Sequence, residues 1–143
     1  MSSFLADTTY SYLGISYGNI AESKKAFNKS IEINPEIAQF YYNRSVLYSN
    51  IGEIDKMLKD LEQVIILDPT HTSALNNLGF HYLNIEKEYD KAVYYLTEII
   101  NLKYDANAYY NRAKAFQFLK KYSEAISDIN LIIKNEGEDK QLL

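Results

Sequence analysis

Tyr41-Tyr42-Asn43-Arg44-Ser45 returns 68 residues later as Tyr109-Tyr110-Asn111-Arg112-Ala113, and Leu75-Asn76-Asn77-Leu78-Gly79 stands halfway between them in the same register. A chain that restates itself every 34 residues is built from stacked units, each too small to bury a core alone. The two prolines, Pro35 and Pro69, keep the same step. Each follows Asn34 or Asp68 at the end of an apolar run, a pairing that closes a helix and opens a turn. The register divides the chain into four units of approximately 4–37, 38–71, 72–105 and 106–137, with a short tail at 138–143, all within a single domain spanning 1–143.

Within a unit the apolar residues recur at helical spacing, in two runs. Tyr41, Ser45 and Tyr48 share one face; after a break at Gly52, Met57, Leu61, Val64 and Ile65 share another. The third unit reads Leu75, Gly79 and Tyr82, then Ala92, Leu96 and Ile99. The fourth reads Ala113 and Phe116, then Ala125, Ile129 and Ile132. Small residues in one run facing large ones in the other describe two closely packed helices. Of the fourteen tyrosines, Tyr48, Tyr82 and Tyr109 fall at core positions, and Tyr94-Tyr95 read as packing on a second helix. Arg44 and Arg112 take the place of Leu78, where their stems are expected to cover apolar surface while the guanidinium reaches water.

The third unit carries an extra residue around Glu86-Lys87-Glu88. The first is the least regular: Leu13-Gly14 and Tyr17 fit the pattern but Gly18 follows at once, while its second helix, through Ala26, Phe27, Ile31 and Ile33, is clear. After Ile132-Ile133 only KNEGEDKQLL remains, read as too short and too charged for a helix. A solenoid end needs a polar cap, so the last helix is expected to leave an apolar edge at Ile126, Leu131 or Ile133.

Together these residues resemble the tetratricopeptide repeat family, over nearly the whole chain. Leu75, Leu78, Gly79, Tyr82 and Ala92 match the motif, as do Tyr109, Ala113, Phe116, Tyr122 and Ala125; Gly52 and Asp68-Pro69 supply its turns. The resemblance implies an all-α, right-handed α-solenoid of about four helix-turn-helix repeats, with the first helices lining a concave groove that binds extended peptides.

Composition narrows the function. Fifteen Lys and Arg against nineteen Asp and Glu give a net charge of −4, which argues against nucleic acid as the partner. No cysteine is present, so disulfides, thiolate metal sites and cysteine nucleophiles are excluded. The N-terminus has neither the basic start nor the apolar run of a secretory signal, and Val64-Ile65-Ile66-Leu67 is far too short to cross a bilayer. No membrane role is expected, and the setting reads as cytoplasmic. No glycine precedes a lysine, so there is no phosphate-binding loop. His71 and His81 lack metalloprotease spacing and read as surface histidines. Glu86, Glu88 and Asp90 read as a solvated turn, not a cation loop. Neither catalytic residue, metal ligand nor cofactor is expected.

The inner face implied by the resemblance carries one asparagine per unit: Asn43, Asn77 and Asn111. A carboxamide both donates and accepts, so it can pair with a peptide backbone without reading side chains. Gln39, Tyr42, Val46 and Asn50 share that face in the second unit, Asn76, Phe80 and Asn84 in the third, and Tyr110, Lys114, Gln117 and Phe118 in the fourth. The chosen contact set is Asn43, Asn77, Asn111, Tyr42, Asn50, Phe80, Asn84, Tyr110 and Lys114. Co-chaperone members of the family grip an acidic C-terminus with lysines, an arginine and asparagines. Asn43 fits that clamp, but Thr8 and Tyr12 (or Ser11 and Ile15), Ser73 and Asn77, and Asn107 and Asn111 replace its other elements. The expectation is a non-enzymatic interaction module that binds a protein or peptide as scaffold or adaptor. Self-association through poorly capped terminal helices, giving a homo-oligomer, and the targeting part of a larger enzyme or complex are the alternatives.

Overall fold

A computed structural model describes residues 18–141. All regular structure among them is helical: α1 (Ile20–Ile33), α2 (Ala38–Asn50), α3 (Ile54–Leu67), α4 (Thr72–Asn84), α5 (Tyr89–Leu102), α6 (Ala106–Phe118) and α7 (Tyr122–Gln141). The all-α solenoid class read from the repeat is the one found. The expected first helix of the first unit lies outside the described residues. The described residues form two compact units, 18–74 and 75–141.

In the first unit, Asn19 caps α1: its Oδ1 accepts from the N–H groups of Ala21 (2.9 Å) and Glu22 (3.3 Å). Ser23, Ala26, Phe27 and Ser30 turn inward at helical spacing, and the buried Ser30 hydroxyl donates to the Ala26 carbonyl. Phe40, Ser45 and Tyr48 of α2 and Met57, Leu61 and Val64 of α3 complete the core; Ile65 is half-buried. The Asp68 carboxylate takes both the backbone N–H (3.0 Å) and the hydroxyl (2.7 Å) of Thr70, which holds the turn closed beyond α3.

The second unit is built around Leu75, Leu78, Leu96 and Ile99, with Ala92, Ala108, Ala113 and Ala115 admitting close approach between helices. Gly79 shows why that place holds a small residue: a Cβ there would sit 3.3 Å from two Leu96 side-chain carbons. Ser45 and Ala113 occupy the same register. Tyr82 is buried as expected, its ring stacked on Tyr95 at 5.7 Å. Tyr109, expected in the core, is only half-buried, as are Phe116, Ala125, Ile129 and Ile132.

The turns inside the repeats share one device, a left-handed residue two positions before the next helix. Gly52 (φ 77°), Lys87 (φ 58°) and Lys120 (φ 59°) hold it. After α2, Glu53 N–H reaches the Tyr48 carbonyl and Gly52 N–H the Ser49 carbonyl; after α6, Lys121 and Lys120 repeat the pattern onto Phe116 and Gln117. The extra residue of the third unit falls in the turn between α4 and α5, where Ile85 and Glu86 N–H both point at the His81 carbonyl.

Two further expectations change. The charged tail continues α7 to Gln141, because it contains no proline and its single glycine, Gly137, costs a helix only about 1 kcal/mol. His81 is 5% exposed, not a surface residue: its Nε2 lies 3.3 Å from Glu86 and its ring edges onto Tyr82.

Candidate functional site

The first-helix faces carry the side chains selected from the sequence. In the first unit, Gln39 Nε2 donates to Asn43 Oδ1 at 2.8 Å, one turn along α2. Asn43 is half-buried, and its carboxamide oxygen is engaged by Gln39. The half-buried Tyr42 ring lies 4.8 Å from the His71 imidazole, whose Nδ1 accepts from Ala74 N–H at the start of α4. Val46 and Asn50 are exposed on the same helix, Asn50 as its last residue.

In the second unit, Asn76, Asn77 and Phe80 of α4 are exposed, Phe80 by 61%. Asn84 ends the helix and donates to the Phe80 carbonyl at 3.1 Å, which holds that carboxamide against its own helix. On α6, Tyr110 is 55% exposed, and Asn111 and Lys114 are half-buried. Tyr110, Lys114 and Gln117 line a cavity of about 360 Å³ together with Tyr122, Ile126 and Ile129 of α7. Phe118 lies apart from that cavity, stacked on Tyr89 at 4.6 Å.

The arginines depart from expectation. Arg44 Nε and Nη2 donate to the two carboxylate oxygens of Asp60, both at 2.7 Å, and Nη1 reaches Asn28 at 2.9 Å. Arg112 does the same to Asp128 at 2.9 and 2.7 Å, with Nη1 on Thr97 at 3.1 Å. Asp60 and Asp128 are 4% and 2% exposed, so the guanidinium groups end in two-pronged ion pairs with buried carboxylates and are not left to water alone. The Asp128 bond and charge hold Arg112 above its ordinary pKa against the opposing effect of burial. For Arg44, burial is the largest influence and pulls downward; the Asp60 bond and charge outweigh it. Arg and Asp sixteen residues apart, twice, was the sequence signal for these pairs.

No group of three or more potential metal-ligating side chains occurs among the described residues, and Glu86 and Glu88 are occupied by His81 and Lys91. None of the described helices is long and apolar enough to cross a membrane.

Comparisons with known proteins follow the same repeat. One family model described as tetratricopeptide repeat matches residues 26–59, and a second matches 9–37 and 106–138; together they take in more than half of the chain. The Hsp70-Hsp90 organizing protein of Triticum aestivum is 40% identical over 86 residues, covering 60% of this chain and 14% of that protein. The lipoprotein NlpI homolog of Haemophilus influenzae is 33% identical over 108 residues, 74% of this chain and 34% of its own. The chain therefore spans a minor part of these relatives. Among solved structures, MamA superposes with a TM-score of 0.77 at 22% identity, covering 94% of this chain and 81% of that one, a likeness of fold.

Proposed function

The chain belongs to the tetratricopeptide repeat family, and from that premise we propose that it is a non-enzymatic adaptor that holds an extended segment of a partner protein on the faces of its first helices, in a cytoplasmic setting. The observation that carries the reading is what those faces expose. Asn77, Phe80 and Tyr110 stand in solvent, outside the core, on the helices that the repeat register selects. Carboxamides at Asn43, Asn77 and Asn111 would pair with a partner's backbone, and Tyr42, Phe80 and Tyr110 would supply apolar contact area. Asn50, Asn84 and Lys114 would complete the contacts.

Relatives named for organizing Hsp70 and Hsp90 support an adaptor role. The segment proposed here is neutral or of mixed charge, because Ser73 and Asn77 stand where a carboxylate clamp would place Lys and Arg. A quantitative pull-down comparing the wild type with the Asn43→Ala, Asn77→Ala, Asn111→Ala triple variant tests the reading, after circular dichroism shows both to be folded. Specific partners should drop out with the asparagines. Retention of the same partners at the same level would refute the proposal.

A further inference from the structure

Three second helices, α3, α5 and α7, present the same apolar stripe at spacings of four, three and four residues, which α1 breaks with Lys24. It reads Ile54, Leu58, Leu61, Ile65 in α3; Tyr89, Val93, Leu96, Ile100 in α5; and Tyr122, Ile126, Ile129, Ile133 in α7. Such spacing makes a seam that another helix can enter. In α5 all four residues are buried or half-buried. Beyond α4 of its own repeat, α5 is met by α6: Phe118 stacks on Tyr89, and Arg112 donates to Thr97 at 3.1 Å. α2 treats α1 alike, with Arg44 donating to Asn28, which holds the place in α1 that Thr97 holds in α5.

On α7 the stripe lies open. Tyr122, Ile126 and Ile133 are 57%, 60% and 62% exposed, and Asn130, exposed too, stands where Asn28 and Thr97 receive an arginine. We propose that the open face of α6 and α7 docks an amphipathic helix of a partner protein. That helix would run antiparallel to α7, with a basic residue meeting Asn130 and an aromatic or leucine six positions later covering Tyr122. The pattern is copied from within the chain, since Arg112 and Phe118 are six apart and meet Thr97 and Tyr89. A second copy of the chain fits less well. Among the described residues both helices that carry such an arginine already use it at home, Arg44 on Asp60 and Asn28 and Arg112 on Asp128 and Thr97. α4 has Leu78 at that place.

The probe is a fluorescein-labelled synthetic peptide with the sequence of residues 103–120, which carries the required helix, added in trans to the full chain. Saturable binding by fluorescence anisotropy is expected. Ile126→Glu and Ile133→Glu should each weaken it by about tenfold or more, because each places a carboxylate in the seam. Both sites are largely exposed, so circular dichroism should show both variants folded. A peptide with alanine in place of its arginine should bind several-fold more weakly, and the triple asparagine variant should bind normally, which separates this surface from the first-helix face. Absence of binding would overturn the proposal. So would binding indifferent to Ile126→Glu, the sign of a peptide exchanging into the place of α6, or a wild-type dimer in sedimentation that either glutamate dissolves.

Discussion

Removing the carboxylate of Asp128 should destabilise the second unit more than any other single polar change in it. Asp128 is 2% exposed, and its side chain takes both prongs of Arg112, whose own side chain is 17% exposed. Asp128→Ala leaves a guanidinium in a site that water reaches poorly. Breaking a buried pair from one side costs roughly 3–5 kcal/mol. Because Arg112 keeps Thr97 and some solvent, the lower end applies, about 3 kcal/mol. At about 2–4 °C per kcal/mol for a chain of this size, the melting midpoint should fall by roughly 6–12 °C. A repeat protein need not unfold in one step, so the loss is better located by amide exchange, where α6 and α7 should open more readily than α2 and α3. The third repeat supplies the control. Its residues at the same two places are Leu78 and Tyr95, with Leu78 fully buried. Arg112→Leu combined with Asp128→Tyr should therefore recover stability to within about 1–2 kcal/mol of wild type. If Asp128→Ala costs under about 1 kcal/mol, or the double variant is no better than the single one, the ion pair does not hold these helices as argued.

Three further outcomes follow from the turns and contacts. Gly52→Ala should lose about 1 kcal/mol and Lys120→Gly should gain up to that amount in chemical denaturation, since both sites hold positive φ and only glycine adopts it without strain. Gly79→Ala should be close to neutral, as better helix propensity offsets crowding on Leu96, whereas Gly79→Leu should cost about 1–3 kcal/mol by overpacking. The bond from the Thr70 hydroxyl holds Asp68 below its ordinary pKa against the opposing effect of burial. Its contribution is therefore complete above the unfolded aspartate value of about 3.9 and is lost as pH falls through the folded value. Melting of Asp68→Asn against wild type should differ at pH 6 and converge in strong acid.

The helix-pair repeat was legible because its determinants are local and periodic. The 34-residue step, the proline turns and the alternation of small and large residues each say the same thing about Ser45, Gly79 and Ala113. The misreadings came where a residue or segment was weighed by its own polarity and not by what adjoins it. His81 looked like a surface residue because its polarity was weighed alone; the extra residue in the following turn brings Glu86 back onto it. The tail looked like coil because its charge was weighed alone, although a helix already nucleated in α7 needs only the absence of a stop to continue.

The candidate site was legible only as a choice of faces. Register places Asn43 and Asn77 at equivalent positions, yet Asn43 is half-buried and bonded to Gln39 while Asn77 stands exposed. Equivalent positions therefore do not have equivalent availability, and a ladder of three asparagines would present unequal rungs. Single alanine variants should separate them. Asn77→Ala removes a solvated carboxamide with little change in stability, so a loss of partner binding there reports recognition. Asn43→Ala also frees Gln39, so a loss there mixes recognition with local repacking. The ordering of the two effects on binding, with Asn77 at least equal to Asn43, is what backbone pairing through these side chains requires.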